Sequence, residues 1–196
     1  MLSTPKIENY GLFFTKIHIL MAYKDALIAE LKMEMASTRK ILEKVPTDNP
    51  TWKPHDKSMK IGNLAVHVAE LPSWIDYILS APELDLGSMH YKPVIATSNE
   101  QLIGQMDAAV AKAMTALENS KDEDYDEMWT LRNGSHVIFA LPKKVVIRSM
   151  AFSHHYHHRG QLSVYLRLLD IPIPGMYGPS ADDVAAMAAA KTAAAN

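Results

Sequence analysis

The densest chemistry-bearing stretch of the chain is His154-His155-Tyr156-His157-His158-Arg159-Gly160-Gln161. Four imidazoles in five positions supply metal ligands, proton carriers, or both. On a helix, His154 and His158 stand one turn apart, about 40° around the axis, with their rings on one side. Two imidazoles at that spacing grip a single divalent ion in helical zinc sites. Far upstream, His67 offers a third imidazole. No thiol competes for these roles, because the chain has Cys 0. Thiolate nucleophiles, zinc–thiolate centres and Cys-held iron–sulfur clusters are therefore excluded for this chain. The sequence also lacks a Gly-rich phosphate loop, a nucleophile elbow and a basic aromatic patch.

Convergence of the histidines depends on which helical rows they occupy. The row Ile147, Ala151, His154, His158, Leu162, Tyr165, Leu169 alternates steps of three and four, like a buried seam. The row through His155 carries two charges, Arg148 and Arg159. This places His154 and His158 inward and His157 at the rim. A second seam, Lys60, Leu64, His67, Leu71, Trp74, Ile78, sets His67 among apolar residues. If the two helices are neighbours, His67, His154 and His158 meet at one point and leave open positions at a bound ion. Gly160 costs about 1 kcal/mol inside a helix, and close approach of another backbone is the expected reason for it.

Plainer readings stand beside this one. A single His on an apolar row is ordinarily a hydrogen-bonded core residue, and a His cluster also occurs as an accidental patch on an exposed face. From the residues alone, a metal site and an unmetallated cluster both stand. Glu70, three residues after His67, is either a partner or base for the site or part of a solvated face. Trp52 and His55 line a pocket mouth, or Trp52 caps the core. Arg159 holds an anionic substrate or forms a surface ion pair. The Met residues, at 12, are first of all gap-fillers of a helical core.

The elements that must position these residues follow from period and punctuation. A helix is expected from Tyr23 to Val45, with Leu27, Leu31, Met35 and Thr38 in one row, stopped by Val45-Pro46-Thr47-Asp48-Asn49-Pro50. A second helix, N-capped by Ser58, is expected to reach Ser80 with a kink at Pro72. Residues 81–97 read as a long loop. A third helix runs from Ser98 to Glu118 with Leu102, Met106, Val110, Met114 and Leu117 on one stripe. Asn133-Gly134, between Met128–Leu131 and His136–Phe139, predicts a two-residue type I′ hairpin. Pro142 opens the fourth helix, which Ile171-Pro172-Ile173-Pro174-Gly175 closes near Leu169. The fold class is therefore all-α, a four-helix bundle with one small β-hairpin before the last long helix. The expected organisation is an N-terminal arm (1–20), one bundle domain (21–183) and an Ala-rich C-terminal tail (184–196).

Composition narrows the partners. The 196 residues carry 20 Lys+Arg against 22 Asp+Glu, a net charge of −2. That balance argues against nucleic acid and against a basic membrane surface. Leu12 to Tyr23 is apolar but broken by Lys16 and His18, and no small-residue cleavage site follows it. No run reaches bilayer-spanning length. A soluble, cytoplasmic protein acting on a small molecule is expected.

Three blocks together resemble the DinB/YfiT-like family. They are Trp52-Lys53-Pro54-His55 to Ser58, Leu64-Ala65-Val66-His67-Val68-Ala69-Glu70-Leu71, and His154 to Leu162 with its His157-His158-Arg159-Gly160-Gln161 core. The segment from Ile173 to Asp182 is similar as well, and the likeness spans roughly 24–183. The resemblance implies a four-helix bundle, usually a homodimer, with a three-His divalent metal site held by His67, His154 and His158. It implies two activities that share a first step, a metal-dependent hydrolase and a thiol-dependent S-transferase, the metal activating water or a low-molecular-weight thiol cosubstrate. Zn²⁺ and Ni²⁺ are the expected ions. The alternative from a different class is a non-enzymatic binding or interaction bundle whose metal is structural or absent.

Overall fold

The computed structural model describes residues 22–194. The expected N-terminal arm, 1–20, lies outside the described residues. Helix α1, Tyr23–Leu42, buries the expected row of Leu27, Leu31, Met35 and Thr38, together with Glu34, Ile41 and Leu42. The expected second helix is two helices, α2 at Ile61–Glu70 and α3 at Ser73–Ser80. Pro72 has no amide to continue the ladder, and the chain closes instead through tight bonds from Trp74 to Leu71 and from Ile75 to Pro72.

Helix α2 also begins later than Ser58. Lys60 occupies its N-cap with no side-chain cap. The preceding connector does the capping with backbone: Ile61 N–H donates to the Trp52 carbonyl at 2.8 Å and Gly62 N–H to the Pro50 carbonyl at 3.0 Å. A Cβ on Gly62 would lie 2.7 Å from Cβ of Pro50, so the connector fits only against glycine. Within the chain, a close backbone approach is found at Gly62 and not at Gly160. Gly160 is exposed, and nothing lies within 4 Å of a Cβ built there.

A three-residue strand, β1 at Glu83–Asp85, lies within the expected loop and precedes helix α4 at Asn99–Asn119. The Ser98 hydroxyl caps α4 by accepting from Gln101 N–H. Strands β2, Met128–Asn133, and β3, His136–Pro142, form the hairpin. Strand β1 pairs parallel with β2, and β2 antiparallel with β3. The single hairpin of the sequence reading is thus a three-stranded sheet. Its turn falls one residue later than expected, on Gly134-Ser135, because Asn133 pairs with His136. Gly134 alone takes positive φ there, +59°, so the turn is not type I′.

The last long helix is continuous in backbone conformation but changes pitch. Helix α5, Lys143–Val146, passes into a π-helical segment, Ile147–Ser153, and then into α6, His154–Leu168. Pro142 stands just outside it, at the N-cap. Around the bundle, α1 packs on α4 and α6, α4 on α2 and α3, α2 on α6, and α3 on the π-helical segment. The broken pair α2–α3 thus acts as the fourth member of a four-helix bundle. Trp129 of β2, fully buried, seals the sheet against Trp74 of α3. The C-terminal helix α7, Ala181–Ala193, is opened by a Ser180–Asp183 capping box and buries no residue.

Candidate metal centre

Packing of α2 on α6 brings His67, His154 and His158 together. One ligating nitrogen from each lies within 4.8 Å of the others. Nε2 of His67 and Nε2 of His154 are 3.3 Å apart, and the His67–His158 and His154–His158 ring centroids are both 4.6 Å apart. Two nitrogens bound tetrahedrally to one ion at about 2.0–2.1 Å lie about 3.3 Å from each other, so this pair already has ligand spacing. All three rings are half-buried.

The depth of the trio differs from the sequence expectation. His155 and Arg159, not His154 and His158, occupy the deepest row of α6. In a regular α-helix, positions 147, 151, 154 and 158 align. The π-helical segment has wider turns and takes up one extra residue, so the buried row resumes at His155, Arg159, Leu162 and Leu166. His154 and His158 rotate to the flank that faces α2, and it is there that they meet His67.

All three rings are biased toward the neutral form that binds metal. Burial, followed by the neighbouring His158 and His154, pushes His67 down to about 4. Burial likewise lowers His154, with His158 adding to it. Nδ1 of His154 is buried without a well-formed hydrogen bond, and the Met150 carbonyl one turn earlier is the group that favours its protonation. Burial lowers His158 too, opposed by its bond to Gln161. Nδ1 of His158 lies 2.8 Å from Oε1 of Gln161, and Nε2 of Gln161 lies 3.0 Å from Nε2 of exposed His157.

Behind the trio, on the α1 side of α6, is a second polar group. The Arg159 guanidinium meets the Glu34 carboxylate at 2.6 Å. It also donates to the Glu34 carbonyl and to Thr38 Oγ1, each at 3.1 Å, and to the Tyr177 hydroxyl at 2.7 Å. Nε2 of His155 lies 3.2 Å from Thr38 Oγ1. Burial, then the Arg159 charge, pushes His155 down to about 3. Arg159 is therefore in neither of its expected settings; it is a buried ion pair joining two helices. Sequence reasoning passed over Glu34 and Tyr177, although a carboxylate three residues after Leu31 on an apolar row signals a buried cationic partner.

The remaining candidates sit apart. Glu70 accepts from the Tyr91 hydroxyl at 2.5 Å, tying α2 to the loop after β1. Trp52 packs edge-on against Tyr165, and His55 is exposed with its Nδ1 bonded to Lys57 N–H. A cleft of about 210 Å³ between α3 and α4, lined by Asp76, Ser80, Asn119 and Asp124 among others, contains none of the three histidines.

The DinB family model matches residues 21–192, which includes every residue of the site. This chain belongs to the DinB family. Solved structures place the same fold around a DinB chain. A DinB-like protein from Bacillus cereus ATCC 10987 superposes with a TM-score of 0.61 at 18% identity, covering 78% of this chain and 97% of that one. A DinB-like protein from Bacillus subtilis gives 0.57 at 17% identity, covering 76% and 96%. A DinB family member from Exiguobacterium sibiricum 255-15 gives 0.56 at 22% identity, covering 76% and 93%. At these identities the likeness is one of fold. No curated protein matches the chain. Among the described residues, no helix is long and apolar enough to cross a membrane.

Proposed function

We propose that this DinB protein is a metal-dependent enzyme in which His67, His154 and His158 hold one divalent ion, Zn²⁺ or Ni²⁺, through neutral imidazoles. The observation that carries this is the 3.3 Å separation of the His67 and His154 Nε2 atoms, with His158 completing the set from one turn along α6. A bound ion would lower the pKa of a water or a low-molecular-weight thiol, supplying the nucleophile that a Cys-free chain lacks. The chain's own part is to keep three rings neutral by burial and to fix them on two packed helices. A three-protein-ligand set leaves room for a small-molecule substrate.

Thiol-dependent S-transfer and hydrolysis are the two reactions proposed, in a cytoplasmic homodimer. Exposed Val164 and Leu168 on the outer face of α6 support self-association, which sedimentation would measure. Protein purified without a metal-affinity column, then loaded with Zn²⁺ or Ni²⁺, should be assayed in two ways. One assay pairs thiols with an electrophilic acceptor, and the other uses activated esters and amides. Turnover in either assay that disappears in His154→Ala supports the enzyme. Stoichiometric metal with no turnover in either assay favours the non-enzymatic bundle.

A further inference from the structure

Gln161 lies three residues after His158 and four after His157, so its amide reaches both rings from the same helix face. It touches both: Oε1 is 2.8 Å from His158 Nδ1, and Nε2 is 3.0 Å from His157 Nε2. The two contacts are chemically coupled. An amide oxygen only accepts and an amide nitrogen only donates. With the oxygen on His158, that ring must carry its proton on Nδ1, which leaves the Nε2 lone pair free. With the nitrogen on His157, that ring's Nε2 lone pair is occupied. Rotating the amide by half a turn would reverse both rings and put a proton on His158 Nε2.

We propose that Gln161 is the positioning residue of the metal centre: its amide fixes His158 as the Nδ1–H tautomer, with Nε2 free to bind, and ties the extra imidazole of His157 away from the ion. The proposal rests on the metal-centre reading above for its consequence, and on the two hydrogen bonds alone for its geometry. His154 and His67 are set by burial between the helices, whereas His158 is the ligand with a side-chain partner that selects its tautomer. Loss of such a partner ordinarily lowers metal affinity ten- to a hundredfold. Because Gln161 is exposed, a loss of about tenfold is expected.

The test begins on ion-free protein. Long-range ¹H–¹⁵N NMR of the imidazoles should show His158 and His157 both protonated at Nδ1. Q161L should release both into mixed tautomers, and Q161E, which can still accept from His158 but cannot donate to His157, should restore only His158. Zn²⁺ affinity by competition with a chromogenic chelator should fall about tenfold in Q161L and return in Q161E. A His158 protonated at Nε2 in the wild type overturns the proposal. So does a Q161L variant, folded by circular dichroism, whose tautomers and affinity match the wild type. A wild type that binds no Zn²⁺ removes the metal-centre reading instead, and the tautomer measurement still decides what Gln161 does.

Discussion

Arg159 and Glu34 meet at 2.6 Å with side chains only 2% and 4% exposed, joining α6 to α1 inside the core. Arg159 follows His158 directly, so the pair and the histidines share one rotation of α6 about its axis. With Arg159 turned toward α1, the neighbouring His154 and His158 are turned toward α2. The ion pair and the histidine trio are thus two sides of one helix orientation.

Removing one member of that pair leaves a buried charge without its partner, which ordinarily costs about 3–5 kcal/mol. Glu34→Gln should therefore lower the urea midpoint of unfolding sharply. Arg148→Gln, which breaks the more exposed pair with Glu30, should cost less than about 1 kcal/mol. Equal losses in the two variants would contradict the role given to Glu34.

The pH dependence of the ion-free protein has a definite sign. The folded-state value of His155, about 3, lies below the ordinary imidazole value of 6.5. Between those values the unfolded chain binds the proton and the folded chain does not, so stability falls as pH drops from about 6.5 toward 3. One such group gives a slope of up to about 1.4 kcal/mol per pH unit. His67, lowered to about 4, acts in the same direction. Urea titrations at pH 7, 6 and 5 should show the loss, and His155→Gln should show a shallower one. Stability unchanged between pH 7 and 5 would rule out neutral buried imidazoles.

Gly160→Ala should stabilise the folded protomer by about 0.5–1 kcal/mol, because within the protomer this helical glycine has open space at its Cβ and costs entropy. Gly62→Ala should do the opposite, since its Cβ would strike Pro50. Thermal unfolding of the two variants side by side decides the assignment of the close approach to Gly62. A destabilised Gly160→Ala would restore it to Gly160.

The three histidines of the cluster were legible in the sequence; their depth was not. The i, i+4 spacing of His154 and His158 is a local property of the helix, and His67 stands on an apolar row of α2. The deepest row of α6 is not legible, because a 3.6-residue period does not hold through Ile147–Ser153, where the turns are wider. Nothing in the composition of Ile147 to Ser153 distinguishes a π-helical turn from an α-helical one. The missing amide of Pro72 is legible, but it does not say whether the helix bends, as expected, or ends, as it does. Strand β1 escaped because three residues cannot show a period, and its partner β2 lies more than forty residues away.

The measurement closest to the central claim is elemental analysis of untagged protein, purified without a metal-affinity column, beside the His154→Ala, His158→Ala double variant. The account predicts about one divalent ion per chain in the wild type, absent from the variant. A wild type that carries no ion and fails to bind added Zn²⁺ or Ni²⁺ tightly would contradict it.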